Sequence, residues 1–315
     1  MLSGERADDP LYVPAITEVR QGLARRGLLY IGDSKMGALD TRAFVQAGRD
    51  FYLCPLGLVQ LPAETLTVYL APVWTGAQSL TAIHRLREDG MQQQIAEGFE
   101  LTQELTAVVN DQPETWIERR LVVRSLALVE AARRGLQVRL TRAQAELAVL
   151  TERKQGKKLF NAVSELQQAA EAIAARHAVA GLLRLDYQEL FHARTLRAYR
   201  QRPASVQIEK EFRLQASVDQ AAVQALERSF GWRVYVTNQT TERLSLPQAV
   251  LAYRSEYIIE QDFGRLKGKP LSLTPMYLRT DARVKGLIRL LSIGLRVLTL
   301  LEFVVRRRLA TEQAS

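Results

Sequence analysis

Cysteine and histidine are scarce in this sequence of 315 residues, which has one cysteine and three histidines. A single cysteine excludes an intrachain disulfide and a cysteine-based zinc site, and it is typical of a reducing compartment such as the cytoplasm. Cys54 lies in the apolar run FYLCPL, where we expect it to be buried. His84, His177 and His192 lack the spacing of metal ligands, which favours structural or surface roles.

Compact catalytic and nucleotide-binding motifs are also missing. The sequence has no GxxxxGK[ST] phosphate loop, no GxSxG nucleophile elbow and no HExxH zinc motif. Residues 32–37, GDSKMG, lack the glycine spacing of a dinucleotide-binding fingerprint.

Long apolar runs without charge are absent. The start, MLSGERADDP, is polar and acidic where a secretory signal requires an apolar core. Residues 284–305 are strongly apolar, but Glu302 and a polar stripe with intervals of four and three residues interrupt them. The stripe comprises Lys285, Arg289, Ser292, Arg296 and Thr299. We expect no membrane span here, but a helix packed across the main domain, with Arg306, Arg307 and Arg308 either near a polyanion or at a solvated terminus.

Positive charge is in excess. Lysine and arginine number 43 against 34 acidic residues, which gives a formal charge of +9 and a pI near 9.8. This balance favours a polyanionic partner such as DNA or an acidic membrane surface. The densest basic cluster contains Arg153, Lys154, Lys157 and Lys158. It has two open interpretations, a contact to a phosphate backbone and an ordinary solvated helix end.

Periodicity predicts an α/β protein. A helix over residues 15–26, a buried strand over 27–32 that leads to Asp33, a helix over 41–47 capped by Asp40, and a strand over 51–56 form one unit of a sheet covered by helices. We predict strands in TLTVYLAPV, ERRLVVRSLALV and VQIEKEFRLQ, helices over 142–185 and in VDQAAVQALERSF, and a return to the sheet at 232–237.

One stretch, YRSEYIIEQDFGRLK at residues 253–267, predicts a single helix with two faces. At about 100° per residue, Tyr253, Glu256, Glu260 and Lys267 fall on one side, and apolar residues fall about a quarter turn away. The solvent-exposed polar face of an ordinary amphipathic helix would give the same pattern, so this spacing alone does not establish a functional site.

The same stretch resembles the signature Tyr-x2-Arg-x3-Glu-x6-Lys of bacterial insertion-sequence DDE transposases of the IS-four type. Tyr253, Glu260 and Lys267 match in residue and spacing, whereas Glu256 stands in the arginine position. GWRVYVTNQ at residues 231–239 and GLLYIGDSKMGALDTRAFVQAG near the start also resemble segments of this family. The resemblance covers roughly residues 20–56 and 228–305.

The resemblance implies a fold, a reaction and a set of site residues. The fold would be an RNase H-like catalytic sheet with helices, formed by residues 1–56 and 231–315 and interrupted by a large mixed α+β insertion domain at 57–230. Asp33 and Glu260 would be catalytic ligands of Mg²⁺ or Mn²⁺ in two-metal phosphoryl transfer. The DNA contacts on this helix would be Tyr253, Arg265 and Lys267, and the phosphate-backbone interpretation of the basic cluster would add Lys154, Lys157 and Lys158. Asn238 and Gln239 are either further DNA contacts or a simple turn cap.

The family's first catalytic Asp has no counterpart. In the family it lies on the first of three antiparallel strands before the Asp33 strand, and those strands with their turns and helix need roughly 40 residues. Only 32 residues precede Asp33. We therefore expect the carboxy-terminal portion of a transposase, incomplete at its N-terminal strands, with an exposed apolar edge at residues 28–31 and poor solubility when it is expressed alone.

Three functions follow as expectations. The first is a transposase fragment that cleaves and transfers DNA strands only when the missing part is supplied, as a homodimer on DNA in the bacterial cytoplasm and nucleoid. The second is a non-catalytic DNA-binding or regulatory remnant. The third is a nuclease without integration activity, which would use the same carboxylates.

Overall fold

The computed structural model describes residues 9–87, 89–152, 160–196, 205–255 and 257–313. They form a mixed α/β protein with one six-stranded mixed sheet and a separate two-stranded antiparallel sheet. Within these ranges, none of the helices has the length and apolar character that crossing a membrane requires.

The first four elements confirm the predicted helix, strand, helix, strand order. They are α1 (Tyr12–Leu23), β1 (Leu29–Ile31), α2 (Leu39–Ala47) and β2 (Phe51–Pro55), preceded by one turn of 3-10 helix. β1 and β2 are parallel, with Tyr30 opposite Tyr52. The predicted Asp40 cap is wrong, because α2 begins at Leu39, two residues before the predicted start, and Asp40 lies inside its first turn.

The large sheet has the order β1-β2-β8-β5-β4-β3. Its other members are β3 (Thr81–Leu86), β4 (Gln92–Val109), β5 (Gln112–Ser125) and β8 (Trp232–Thr237). β8 pairs antiparallel with both β2 and β5, so the predicted return to the sheet at 232–237 is confirmed. The sheet therefore runs without interruption from strands at 29–55 to strands that lie within residues 57–230.

The predicted strand in TLTVYLAPV is wrong, because this segment belongs to helix α3 (Ala63–Trp74). Leu66, Tyr69, Leu70 and Val73 have helical i, i+3, i+4, i+7 spacing and pack on one face of the sheet around Phe99. The polar and apolar alternation of the segment matched both periods, and packing against the sheet selected the helix.

The predicted helical run over 142–185 is two helices and the start of a strand. These are α4 (Leu126–Ala148), α5 (Val163–Arg176) and β6 (Leu183–Leu196). β6 pairs with β7 (Ser205–Val218), and α6 (Gln220–Glu227) follows, so the strand and helix predicted there are confirmed. The side chain of Asp219 caps α6 by accepting hydrogen bonds from two backbone amides of its first turn.

The predicted single helix over 253–267 is also wrong. The chain forms α7 (Leu246–Arg254) and α8 (Tyr257–Lys267), and α9 (Asp281–Gln313) follows. The Ser255 amide caps the end of α7 with bonds to the carbonyls of Leu251 and Ala252. The signature residues before and after the break therefore do not share one continuous helical face.

α7 and α9 differ in how they pack. α7 begins with a capping box between Ser245 and Gln248 and covers the sheet face that carries Leu121, Val123 and Tyr235. α9 packs mainly against α8, so the prediction that it packs across the main domain is wrong. Arg265 of α8 makes an ion pair with Glu302 of α9, which links the two helices.

Candidate functional site

Asp33 lies just beyond the carboxyl end of β1, as predicted. Its Oδ1 accepts hydrogen bonds from the Tyr12 hydroxyl at 2.8 Å and from the Lys35 amide at 2.9 Å. Its Oδ2 has no hydrogen bond or ion pair to any other residue that the structure describes. The side chain is exposed, so the carboxylate is oriented through one oxygen and presents the other to solvent.

The loop that carries Asp33 is tightly packed. A Cβ on Gly37 would lie 2.9 Å from the Ser34 carbonyl oxygen and 3.1 Å from that of Pro55, closer than real Cβ contacts. A Cβ on Gly32 would lie 2.7 Å from the sulfur of Met36, which is almost fully buried. Only glycine fits at Gly37 without displacing backbone, so the loop lies close against the end of β2.

A buried polar network anchors this loop from below. Arg42 of α2 donates from Nε to the Gly37 carbonyl at 3.0 Å and pairs through Nη1 with the Glu118 carboxylate of β5. The Tyr52 hydroxyl donates to Glu118 at 2.6 Å and accepts from Trp116 Nε1 at 2.9 Å. The network thus connects the Asp33 loop, through Arg42, to Glu118 of β5, which lies 76 positions after Arg42 in the chain.

Burial explains the ionisation of this region. The side chains of Tyr52 and Glu118 are completely buried. Burial, reinforced by the Glu118 carboxylate, raises the pKa of Tyr52 far above its ordinary value, so the hydroxyl stays protonated and donates. Burial also raises the pKa of Cys54 to about 12, which confirms the expected buried thiol.

β1 forms one end of the large sheet. Within the described ranges its single strand partner is β2, and Leu29 and Ile31 are 36% and 38% exposed. The expected exposed apolar edge is therefore present beside Asp33. An open edge of this kind can pair with another strand.

Glu260, Arg265 and Lys267 all lie on α8. Glu260 is exposed and has no hydrogen bond or ion pair to another described residue. The Lys267 ammonium lies over the Phe263 ring, 5.8 Å from its centroid. Arg265 pairs with Asp262 and with Glu302, so its charge is already matched by two carboxylates.

Tyr253 and Asn238 serve the packing of the sheet. The Tyr253 ring packs on Tyr235 with centroids 4.8 Å apart. Asn238 accepts from the Tyr52 amide and donates to the Asp50 carbonyl and the Gln46 side chain. Of the two open interpretations for Asn238, these bonds favour a structural role.

The predicted site residues come from different elements of the fold. Asp33 belongs to the β1 end of the sheet, whereas Glu260 and Lys267 belong to a helix that packs mainly against α9. The described ranges hold no group of three or more His, Cys, Asp or Glu side chains able to bind a metal ion. Lys154, Lys157, Lys158 and Glu256 lie outside the described residues.

Sequence reasoning missed Tyr12, Arg42 and Glu118 as partners of the Asp33 loop. Each is unremarkable in its own segment, since Tyr12 starts a helix and Glu118 lies in a charged stretch of strand. Comparison of the chain with protein-family models, with curated proteins and with solved structures found no match.

Proposed function

We propose that the chain is the carboxy-terminal portion of a DNA transposase of the DDE type with an RNase H-like catalytic sheet. The observation that carries the proposal is the presentation of Asp33 at the carboxyl end of a parallel strand, with one carboxylate oxygen held and the other free. A metal ligand of a phosphoryl-transfer site needs this arrangement, because a fixed carboxylate binds a cation with little loss of side-chain freedom.

The open edge of β1 gives a second line of support. In the proposed enzyme, a strand carrying the first catalytic Asp would pair with this edge and bring its carboxylate next to Asp33. The exposure of Leu29 and Ile31 is consistent with a further strand pairing there. The active protein would then require that strand from a preceding or separate polypeptide.

Asp33 and Glu260 suit Mg²⁺ or Mn²⁺ by their chemistry, because these hard cations prefer carboxylate oxygens. The described residues hold no group of three or more His, Cys, Asp or Glu side chains able to bind a metal ion, so they would supply only part of such a site. When bound, the metal would activate the attacking oxygen and stabilise the leaving oxygen. The chain itself would orient Asp33 through Tyr12 and Lys35, and its basic residues would hold DNA, with Lys267 and Tyr253 as the family signature implies.

The test uses the chain extended by the sequence encoded upstream of the Met1 codon. Metal-dependent cleavage and strand transfer are measured on DNA that carries the ends of the encoding element. Asp33→Asn and Glu260→Gln should abolish both activities while DNA binding is retained. Asp40→Asn and Glu64→Gln, exposed carboxylates of α2 and α3, are matched controls that should remain active.

Full strand transfer by the Asp33 or Glu260 variant would refute the assignment. Salt-sensitive DNA binding by the extended protein without cleavage would instead support the non-catalytic remnant. Cleavage without strand transfer would support the nuclease.

A further inference from the structure

Three arginines lie together on the sheet face at the end of α7. Arg85 comes from β3, Arg233 from β8 and Arg254 from the last turn of α7. Arg85 and Arg233 are exposed, and Arg254 is half-buried. We call these three residues the arginine triad. The edge strand β3, the internal strand β8 and a helix contribute to it, so only the folded protein forms it.

The position of Arg254 is fixed by two hydrogen bonds. Its Nη2 donates to the Ile95 carbonyl at 3.2 Å and to the Ser125 hydroxyl at 2.9 Å, which places the guanidinium over the ends of β4 and β5. The sheet register then places the other two on either side of it. Arg85 is opposite Gln93, and Arg233 is opposite Val123, which pairs with Gly98.

The charges of Arg85 and Arg233 both act on Arg254. Burial lowers the pKa of Arg254, the nearby Tyr235 raises it, and the positive charges of Arg85 and Arg233 lower it further. None of the three forms an ion pair with a carboxylate in the part of the chain that the structure describes.

Other arginines of the same sheet are neutralised. Arg119 makes a pair with Glu100 at 2.7 Å, and Arg124 lies 3.5 Å from Glu97. The arginine triad therefore has an unmatched positive charge where the rest of the sheet has ion pairs. An anion bound there would remove the repulsion.

We infer that the arginine triad binds the phosphate backbone of a DNA strand. Guanidinium groups match phosphate oxygens in geometry and charge. Gln93 and Gly98 are five residues apart on β4, so Arg85 and Arg233 emerge about 16 Å apart along the strand direction. This spread is too wide for one small phosphate and suits successive phosphates of a polymer. The C-terminus of α7 opposes an anion with about half a charge, which three guanidinium charges outweigh.

The inference rests on the proposed function for the identity of the polyanion as DNA. The test compares two double variants that remove the same net charge. Arg85→Gln with Arg233→Gln alters the arginine triad and leaves the hydrogen bonds of Arg254 intact. Arg133→Gln with Arg213→Gln alters two exposed arginines that pair with carboxylates elsewhere.

Binding of the full chain, fused to a soluble carrier, to a labelled DNA duplex is followed by fluorescence anisotropy at several salt concentrations in the presence of EDTA. Loss of two phosphate contacts should reduce the slope of log K against log salt by about 1.8 and weaken binding by about 30-fold at 0.15 M salt. The control pair should stay within about twofold of the unaltered chain. Equal urea midpoints of the variants exclude misfolding as the cause.

The inference is overturned if both double variants weaken binding equally, because net charge alone would then explain the effect. It is also overturned if the triad variant binds DNA as tightly as the unaltered chain. Either result leaves the transposase proposal standing, because DNA could bind elsewhere. Conversely, the triad variant could lower the salt slope as expected while the extended chain cleaves no DNA. That pair of results would support the inference and refute the catalytic function. An unaltered chain that binds no duplex would overturn the inference alone, because the proposed function is tested on the extended chain.

Discussion

Two tyrosines opposite each other in the β1 and β2 pair offer a matched test of the buried network. The Tyr52 hydroxyl makes two hydrogen bonds, to Glu118 and from Trp116, whereas the Tyr30 hydroxyl is buried without a hydrogen-bond partner. The Arg20 guanidinium lies near the Tyr30 hydroxyl without meeting hydrogen-bond geometry. Replacement of each tyrosine by phenylalanine removes the same atom from two different environments.

Tyr52→Phe should reduce the free energy of unfolding by about 3 kcal/mol. A hydrogen bond to a charged group contributes about 1.5–3 kcal/mol, and the Trp116 N–H left unsatisfied costs about 1–3 kcal/mol more, so the estimate takes the lower half of the summed range. Tyr30→Phe should instead leave the free energy unchanged or raise it by about 1 kcal/mol, because the lost hydroxyl had no partner.

The measurement is urea unfolding followed by tryptophan fluorescence, with the chain fused to a soluble carrier because the β1 edge favours association. With a slope near 3 kcal/mol per molar urea, Tyr52→Phe should lower the midpoint by about 1 M. Equal shifts for the two variants would refute the reasoning, since the hydrogen bonds of Tyr52 would then contribute nothing measurable.

Two further predictions concern the sheet edge and a helix cap. Leu29→Lys with Ile31→Lys should reduce self-association of the isolated chain in analytical ultracentrifugation, because charges on an edge strand oppose pairing. The control Val59→Lys, at a loop position that is 92% exposed, should leave self-association unchanged. A monomeric unaltered chain would contradict this prediction. The hydrogen bond from Arg184 and those from the α6 amides lower the pKa of Asp219. The stabilising effect of the Asp219 carboxylate should therefore be complete above its unfolded-state pKa and be lost as the pH falls through the lower folded-state pKa. Asp219→Asn should keep the helix cap but weaken the dependence of the melting temperature on acidic pH, and an unchanged pH dependence would argue against the ion pair.

Local patterns predicted the parts of the fold that local chemistry decides. The apolar run before Asp33, the glycine after Ala47 and the run FYLCPL each specify an element or its end, so the first parallel pair was predictable. The apolar residues within 232–237 likewise predicted a buried strand.

Elements decided by tertiary contacts were not predictable. The TLTVYLAPV segment fits two periods, and its contact with Phe99 decides between them. The end of α7 at Ser255 carries no proline or glycine signal. In the candidate site, Asp33 was recognisable from its place after a strand, but the Arg42 and Glu118 pair joins positions 76 apart, and only the folded chain brings them together.

The hydrogen bond from the Ser125 amide to the Gly231 carbonyl, 2.9 Å long, has a consequence for protein engineering. β5 and β8 are antiparallel neighbours at this point, with Arg124 opposite Trp232. The intervening residues 126–230, which carry α4 to α6 and the small sheet, leave and return at adjacent backbone positions. A short turn could replace residues 126–230 and join β5 and β8 as a hairpin. This unit could therefore be deleted or exchanged while the chain of the six-stranded sheet and the Asp33 loop stays otherwise unchanged.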